Sequence, residues 1–491
     1  MNVSLIAAIM SLLPASGANA APATRDAFMD NLFAGNLPAA AVKFGGEKPV
    51  APAAGAPQPA DKLDSRVSAL IRLERTLASA PVWPGYSILS QPVLIYEEGK
   101  RAFLIAHPNP PADFKRLTDS PYSVSLKEGT LGLNSTMDWH YPLNGADCFA
   151  FLYKTGEEPL GEFLTGVRLV VHERFHIFQE TAFKNSHRQE DHIIATPETT
   201  ALVALEQRVL LRVLDAKSIN ESAHIGRTFA AIRAFRNEKH FADKTYEDYA
   251  ERAEGPTRYV ELKLTSRLPG EGNAVRREVK KDLGSEVRNV YGTGAAQAIL
   301  LDKHGPEDWK TQVAGGTAMF DLLAALYPMS GQERLALVER AKSELRYDEL
   351  LLAAKKKFKE FEDAQNKALA AWNSAPGMEV EVNVRPYFTS RGEWYTLENG
   401  EVLMKMVRMG LQDEKLQMHG ENLPVILGKD KGYVKFHVET SAIALDGAAF
   451  APQDGTYNFK TLSLSDRNAS ITVSAPGTLV ITGKKLKIHV Q

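Results

Sequence analysis

Val170-Val171-His172-Glu173-Arg174-Phe175-His176-Ile177-Phe178-Gln179 carries the pattern H-E-x-x-H. On a helix, positions four apart lie one turn apart on one face, so His172 and His176 can point both imidazoles at a single zinc ion. Glu173 falls about 100° round the helix from His172, close enough for its carboxylate to reach a water on the metal without ligating it. The neighbours agree with a helix. Phe163, Val167, Val170, Val171, Phe175, Ile177 and Phe178 share one arc, while Thr165, Leu169, His172, Glu173, His176 and Glu180 share the other. One arc packs and the other carries the chemistry. Arg174 is the exception, a cation inside the apolar arc.

A catalytic zinc needs a third protein ligand and an open position. A further histidine at metzincin spacing would stand near position 182, which is Ala182. Two later glutamates remain. Glu206 follows the helix start Thr196-Pro197-Glu198 and lies on the apolar stripe of Leu202, Val209 and Val213, where an unpaired carboxylate is costly to bury. Glu254 stands in Ala253-Glu254-Gly255-Pro256-Thr257-Arg258-Tyr259-Val260-Glu261, where Pro256 removes an N–H and is expected to interrupt the helix. Spacing alone leaves both open.

The H-E-x-x-H block, Glu254-Gly255 with Thr257 and Tyr259, and Tyr291-Gly292-Thr293-Gly294-Ala295-Ala296 follow one another in the order seen in gluzincin metallopeptidases. The chain resembles the alanyl and glycyl aminopeptidase families most closely, over roughly residues 162–323, with Ile299-Leu300-Leu301-Asp302 similar to the apolar stretch that continues the third block. The resemblance implies a zincin-like domain in which Zn2+ is held by His172, His176 and Glu254, Glu173 acts as general base, and Tyr291 stabilises the tetrahedral oxyanion. It implies hydrolysis of peptide bonds in a peptide or protein substrate. The chain departs from those families in a longer gap between His176 and Glu254 and in Pro256. Both leave Glu206 as an alternative third ligand, or as a residue supporting Glu254 from behind.

The remaining sequence frames this centre. The 491 residues carry 58 Lys+Arg against 60 Asp+Glu, a net charge of −2, with 44% apolar and 24% charged residues. That balance suits a soluble globular chain of two or three domains and lacks the basic excess of a nucleic-acid binder. The single cysteine, Cys148, excludes an intrachain disulfide and a cysteine-rich zinc site. The apolar run Val3–Leu13, broken by Pro14 and followed by Ala18-Asn19-Ala20, reads as a signal peptide (residues 1–20) cut after Ala20. A secreted or periplasmic protein with no stable membrane anchor is therefore expected.

Residues 21–64 form an Ala/Pro-rich segment, expected to be flexible. Residues 65–372 should hold a short helix at Ser65–Ala80 and a small sheet from Val93–Tyr96, Ala102–Ala106 and Phe149–Tyr153. A mainly helical region from Glu162 to Trp372 follows, ending in a long helix, Tyr347–Trp372, whose Lys355-Lys356-Lys357 run is a solvated face. Residues 373–491, with β-rich runs at Val380–Val384, Val402–Val407, Tyr433–Val438 and Leu479–Val490, are expected to form a β-sandwich, making the class α+β. His187 and His192 lie in a polar stretch that reads as exposed. A competing reading keeps the scaffold and drops the catalysis: an exported binding or cell-surface protein with a degenerate gluzincin site, whose β-domain engages a partner or glycan.

Overall fold

The structure, a computed structural model, describes residues 63–490 apart from 120–121, 134–136, 154–162, 185–195, 285–287, 385–386, 391–393, 413, 429–431 and 440–441. The signal-peptide and Ala/Pro-rich readings, and those of His187 and His192, lie outside the described residues.

Asp64 caps the first helix by accepting a hydrogen bond from the Arg66 N–H at 2.8 Å, and α1 (Ser65–Ser79) buries Val67, Leu70, Leu73 and Leu77. Six strands follow: β1 (Val93–Glu97), β2 (Arg101–Ile105), β3 (Lys115–Thr118), β4 (Val124–Glu128), β5 (Met137–Leu143) and β6 (Ala146–Tyr153). Their order is β3-β4-β2-β1-β6-β5, with β1 parallel to β6 and every other neighbouring pair antiparallel. β1 is buried along its whole length, as the apolar run Val93–Tyr96 requires of a central strand. β3, β4 and β5 escape the sequence reading because they are short or polar on one face. β5 is an edge strand of this sheet.

The chain then turns helical: α2 (Phe163–Ala182), α3 (Pro197–Val213), α4 (Ile219–Lys239), α5 (Phe241–Thr265), α6 (Ala274–Leu283), α7 (Val290–His304), α8 (Trp309–Ala314), α9 (Met319–Leu326), α10 (Gly331–Glu344) and α11 (Tyr347–Asn373). On α2, Val167, Val170, Val171 and Phe175 are buried, and so is Leu169 from the opposite arc. Phe175 meets Trp83 and Tyr86 edge-on, at 5.4 and 5.0 Å between ring centroids, and the Tyr86 hydroxyl donates to the Val171 carbonyl. α7 starts where Asn289 Oδ1 accepts from the Gly292 N–H at 3.0 Å.

Pro256 does not interrupt its helix, since α5 runs unbroken through it. A proline removes a single N–H donor, and a helix wedged against both α2 and α7 can lose one ladder bond without breaking.

The molecule divides into two compact units, residues 63–184 with 197–354 and residues 355–490, so the division falls inside α11 rather than after Trp372. The reason lies in the second half of that helix. Phe361, Ala364, Ala368, Leu369 and Trp372 pack on Tyr395, Leu403 and Ile426 of the β-rich unit.

That unit holds β7 (Met378–Val382), β8 (Tyr387–Ser390), β9 (Trp394–Thr396), β10 (Val402–Gln412), β11 (Leu416–Leu427) and β12 (Val434–Val438). It continues with β13 (Ala442–Leu445), β14 (Ala448–Ala449), β15 (Gly455–Phe459), β16 (Leu462–Ser465), β17 (Ala469–Val473), β18 (Gly477–Thr482) and β19 (Lys485–Val490). Hydrogen bonds join these strands into one sheet that forks. β10 lies along one edge of β11; the other edge pairs β17 through Leu416–Gly420 and β12 through Val425–Leu427. One arm continues β17-β16-β13-β14 and the other β12-β7-β19-β18-β15. Ile443, Leu464 and Ile471 of the first arm and Val380, Phe436 and Ile488 of the second belong to a single buried cluster. Among the described residues, no helix is long and apolar enough to cross a membrane.

Candidate metal centre

Three helices of the first unit bring the chemistry together. α2 supplies His172, Glu173 and His176, α5 supplies Glu254, and α7 supplies Tyr291. The two Nε2 atoms stand 3.2 Å apart, and Glu254 Oε2 lies 3.2 Å from that of His176 and 3.5 Å from that of His172. In a tetrahedral zinc site with bonds of about 2.0–2.1 Å, donor atoms are about 3.3–3.4 Å apart, so this triangle has the dimensions of one tetrahedral face. Among the described residues, these three form the one group of His, Cys, Asp or Glu whose donor atoms converge in this way.

Both imidazoles are oriented from behind. His172 Nδ1 lies 3.1 Å from Glu261 Oε2 and His176 Nδ1 lies 2.8 Å from Gln179 Oε1. Each of those oxygens can only accept, so each Nδ1 carries a hydrogen and each Nε2 faces the centre. The supports are themselves held. Arg258 donates to Glu261 at 2.6 Å, and the Gln179 amide donates to the Ala253 carbonyl at 2.9 Å, one residue before Glu254.

The electrostatics favour a cation. Burial pulls the His172 pKa down, but hydrogen bonds to Glu254 and Glu261 prevail and push it up to about 10. Burial works against the Glu254 carboxylate, yet the two histidines hold its pKa well below the ordinary range. A site that grips a proton this firmly presents the same negative field to a divalent ion, which must displace that proton to bind.

Glu173 differs from its neighbours. It is 2% exposed, burial raises its pKa, and its Oε2 has no hydrogen-bond partner in the protein. An orphaned buried carboxylate oxygen is costly, and here it lies in the turn that bears the two histidines. Tyr291 is also enclosed. Its ring centroid is 5.9 Å from that of His172, and burial, then the charges of Glu254 and Glu173, push its pKa far up, so the hydroxyl keeps its proton for donation.

Backbone proximity sets this arrangement. A Cβ at Gly255 would lie 2.7 Å from the Gly294 Cα, and one at Gly294 would lie 2.5 Å from the Gly255 Cα. Only glycine at both positions lets α5 and α7 touch, which brings Tyr291 beside Glu254. Glu251, one turn before Glu254, accepts from Thr293 Oγ1 and Gln297 Nε2 of α7, both at 2.6 Å. Two turns further along, the Tyr259 hydroxyl donates to Asp302.

Glu206 lies elsewhere. It is fully buried but accepts from Arg233 Nε and Arg236 Nε, each at 2.7 Å, in a cluster that also contains Glu247 and Glu251. Its place on the apolar stripe is thus explained by paired charge rather than by a metal. It supports the centre indirectly: Arg233 bridges Glu206 to both oxygens of Glu251.

Arg174 also finds its reason. Its buried guanidinium donates to the Ile88 carbonyl at 2.9 Å, to Ser90 Oγ at 3.1 Å and to Gln91 Oε1, tying α2 to the segment ahead of β1. From β5, Trp139 stacks on His176 with centroids 5.9 Å apart and planes 14° from parallel. Sequence reasoning missed Glu261, Gln179, Gln91 and Trp139. Glu261 stands seven residues after Glu254, hence on the same helical face, a signal available in the sequence. Trp139 comes from a distant strand and left no such trace. In comparisons with protein-family models, curated proteins and solved structures, nothing matches this chain.

Proposed function

We propose that the chain is an exported zinc-dependent metallopeptidase with a zincin-like catalytic unit and a sandwich-like β-unit. The observation that carries the proposal is the convergence of His172 Nε2, His176 Nε2 and Glu254 Oε2 at tetrahedral-face spacing beside the orphaned, buried Glu173 carboxylate. Held by these three residues, zinc supplies Lewis acidity that activates water and polarises a carbonyl. Glu173 takes the proton of the attacking water on its free Oε2 and delivers it to the leaving amine, a role suited to a carboxyl whose pKa burial has raised. Tyr291 donates its hydroxyl hydrogen to the developing oxyanion. Glu261 and Gln179 keep the imidazoles aimed.

A peptide substrate suits the surroundings, because β5 is an edge strand beside His176 that an extended backbone can join. The zincin-like reading is supported by a sheet with such an edge, followed by the H-E-x-x-H helix and a later helix bearing the glutamate. The forked sheet with one shared core supports the sandwich reading. Export rests on Val3–Leu13 and Ala18-Asn19-Ala20 alone.

The test pairs metal content with turnover. Glu173→Gln should retain stoichiometric zinc and lose cleavage of a mixed peptide library, whereas His172→Ala and Glu254→Ala should lose the metal. Full cleavage by Glu173→Gln, or normal zinc in Glu254→Ala, overturns the proposal.

A further inference from the structure

The register of β5 on β6 slips between Asp138 and Tyr141, leaving Trp139 and His140 outside the regular pairing. Bulges of this kind re-aim a side chain, and here the indole is laid against the metal-side imidazole of His176. The Trp139 carbonyl accepts from Gln91 Nε2 at 3.1 Å, and the same amide nitrogen donates to Asp147 Oδ2 at 2.9 Å. Gln91 Oε1 in turn accepts from Arg174, which stands between the two histidines on α2. One amide therefore links the metal helix to the bulge, through its nitrogen on one side and its oxygen on the other.

From this we infer that Trp139 is a specificity-determining residue, forming an aromatic wall against which the substrate residue next to the scissile bond packs, and that Gln91 and Arg174 are positioning residues that fix the wall relative to the metal. The inference rests on the peptidase reading. Trp139 is partly exposed, and its ring lies almost parallel to that of a metal ligand. A peptide that reaches the metal along β5 passes over this face. The favoured substrate residue is large and apolar or aromatic, since stacking and burial on an indole reward area.

The experiment separates binding from turnover. Zinc-loaded Glu173→Gln protein is titrated calorimetrically with a blocked tetrapeptide carrying a central phenylalanine, and with its all-alanine counterpart. The phenylalanine peptide should bind Glu173→Gln at least about tenfold more tightly than it binds Glu173→Gln/Trp139→Ala. Trp139→Phe should restore most of the difference, and the alanine peptide should hardly discriminate. Adding Gln91→Glu keeps an acceptor for Arg174 but removes the donor to the Trp139 carbonyl. It should abolish the aromatic preference while zinc content holds.

Equal affinity with and without the indole, or no measurable binding of either peptide, overturns the specificity role. Full preference in Gln91→Glu overturns the positioning role. Binding with the expected preference but no cleavage by the Glu173-intact protein would sink the peptidase reading and with it the scissile-bond placement, leaving Trp139 only as the wall of a peptide-binding site.

Discussion

Replacing Gly255 by alanine tests the idea that helix contact assembles the centre. The new Cβ would lie 2.7 Å from the Gly294 Cα, 2.9 Å from its carbonyl carbon and 2.7 Å from Met319 Cε. The methionine can swing away; the α7 backbone cannot. Ordinary carbon contact is about 3.5–4.0 Å, so α7 must withdraw by about 1 Å. That movement pulls Tyr291 from the centre and stretches both 2.6 Å bonds to Glu251, one turn from Glu254. Overpacking of this kind costs about 1–3 kcal/mol. If the metal-free protein relaxes and the metal-bound arrangement cannot, the whole amount appears as a loss of zinc affinity of about 5–150-fold. Competition with a chromophoric chelator measures the affinity, and thermal melting of metal-free and loaded protein measures the stability. Gly294→Ala should behave alike, whereas Gly331→Ala, whose Cβ meets nothing within 4 Å, should be silent. Wild-type zinc affinity in both Gly255→Ala and Gly294→Ala would refute the reasoning.

Other expectations follow from single contacts. Glu261→Gln should weaken zinc binding by about 10–100-fold, because a weaker acceptor behind His172 lowers the basicity of Nε2; an unchanged dissociation constant would deny Glu261 that role. Glu206→Gln should destabilise the fold by about 3–5 kcal/mol in urea titration, leaving the buried cluster of Arg233 and Arg236 one carboxylate short, yet the folded fraction should bind zinc normally. Loss of zinc without loss of stability would reverse the assignment of Glu206 and Glu254. Burial raises the Asp248 pKa to about 6 against an ordinary 3.8, so its contribution is full below about pH 4 and is lost as pH rises through about 6. Asp248→Asn should therefore gain relative to the parent between pH 4 and 6, and parallel stability profiles would contradict this.

Legibility in the sequence followed periodicity. His172, Glu173 and His176 fall within five residues of one helix, so a spacing rule suffices to put them together. Choosing between Glu206 and Glu254 required knowledge of Arg233 and Arg236, which reach Glu206 from another helix. Pro256 misled because local propensity gives way when a helix is pinned on two sides. Arg174 looked misplaced for the same reason that Trp139 went unseen. Each is explained by partners outside its own helix or strand, and α-helical or alternating patterns say nothing about such partners. The C-terminal runs were recognisable as β, but the branching of the sheet depends on which strands share β11, a pairing that no local pattern encodes.

That branching bears on how the β-rich half can be handled. β10 and β11 are a common spine, each half of β11 closed by a different arm. Excising the β17 arm would strip Leu416–Gly420 of its partners, and excising the β12 arm would do the same to Val425–Leu427. Either cut leaves a row of bare amides and carbonyls ready to recruit another chain. Shortened versions of this half should therefore aggregate rather than fold, and the two arms form a single folding unit.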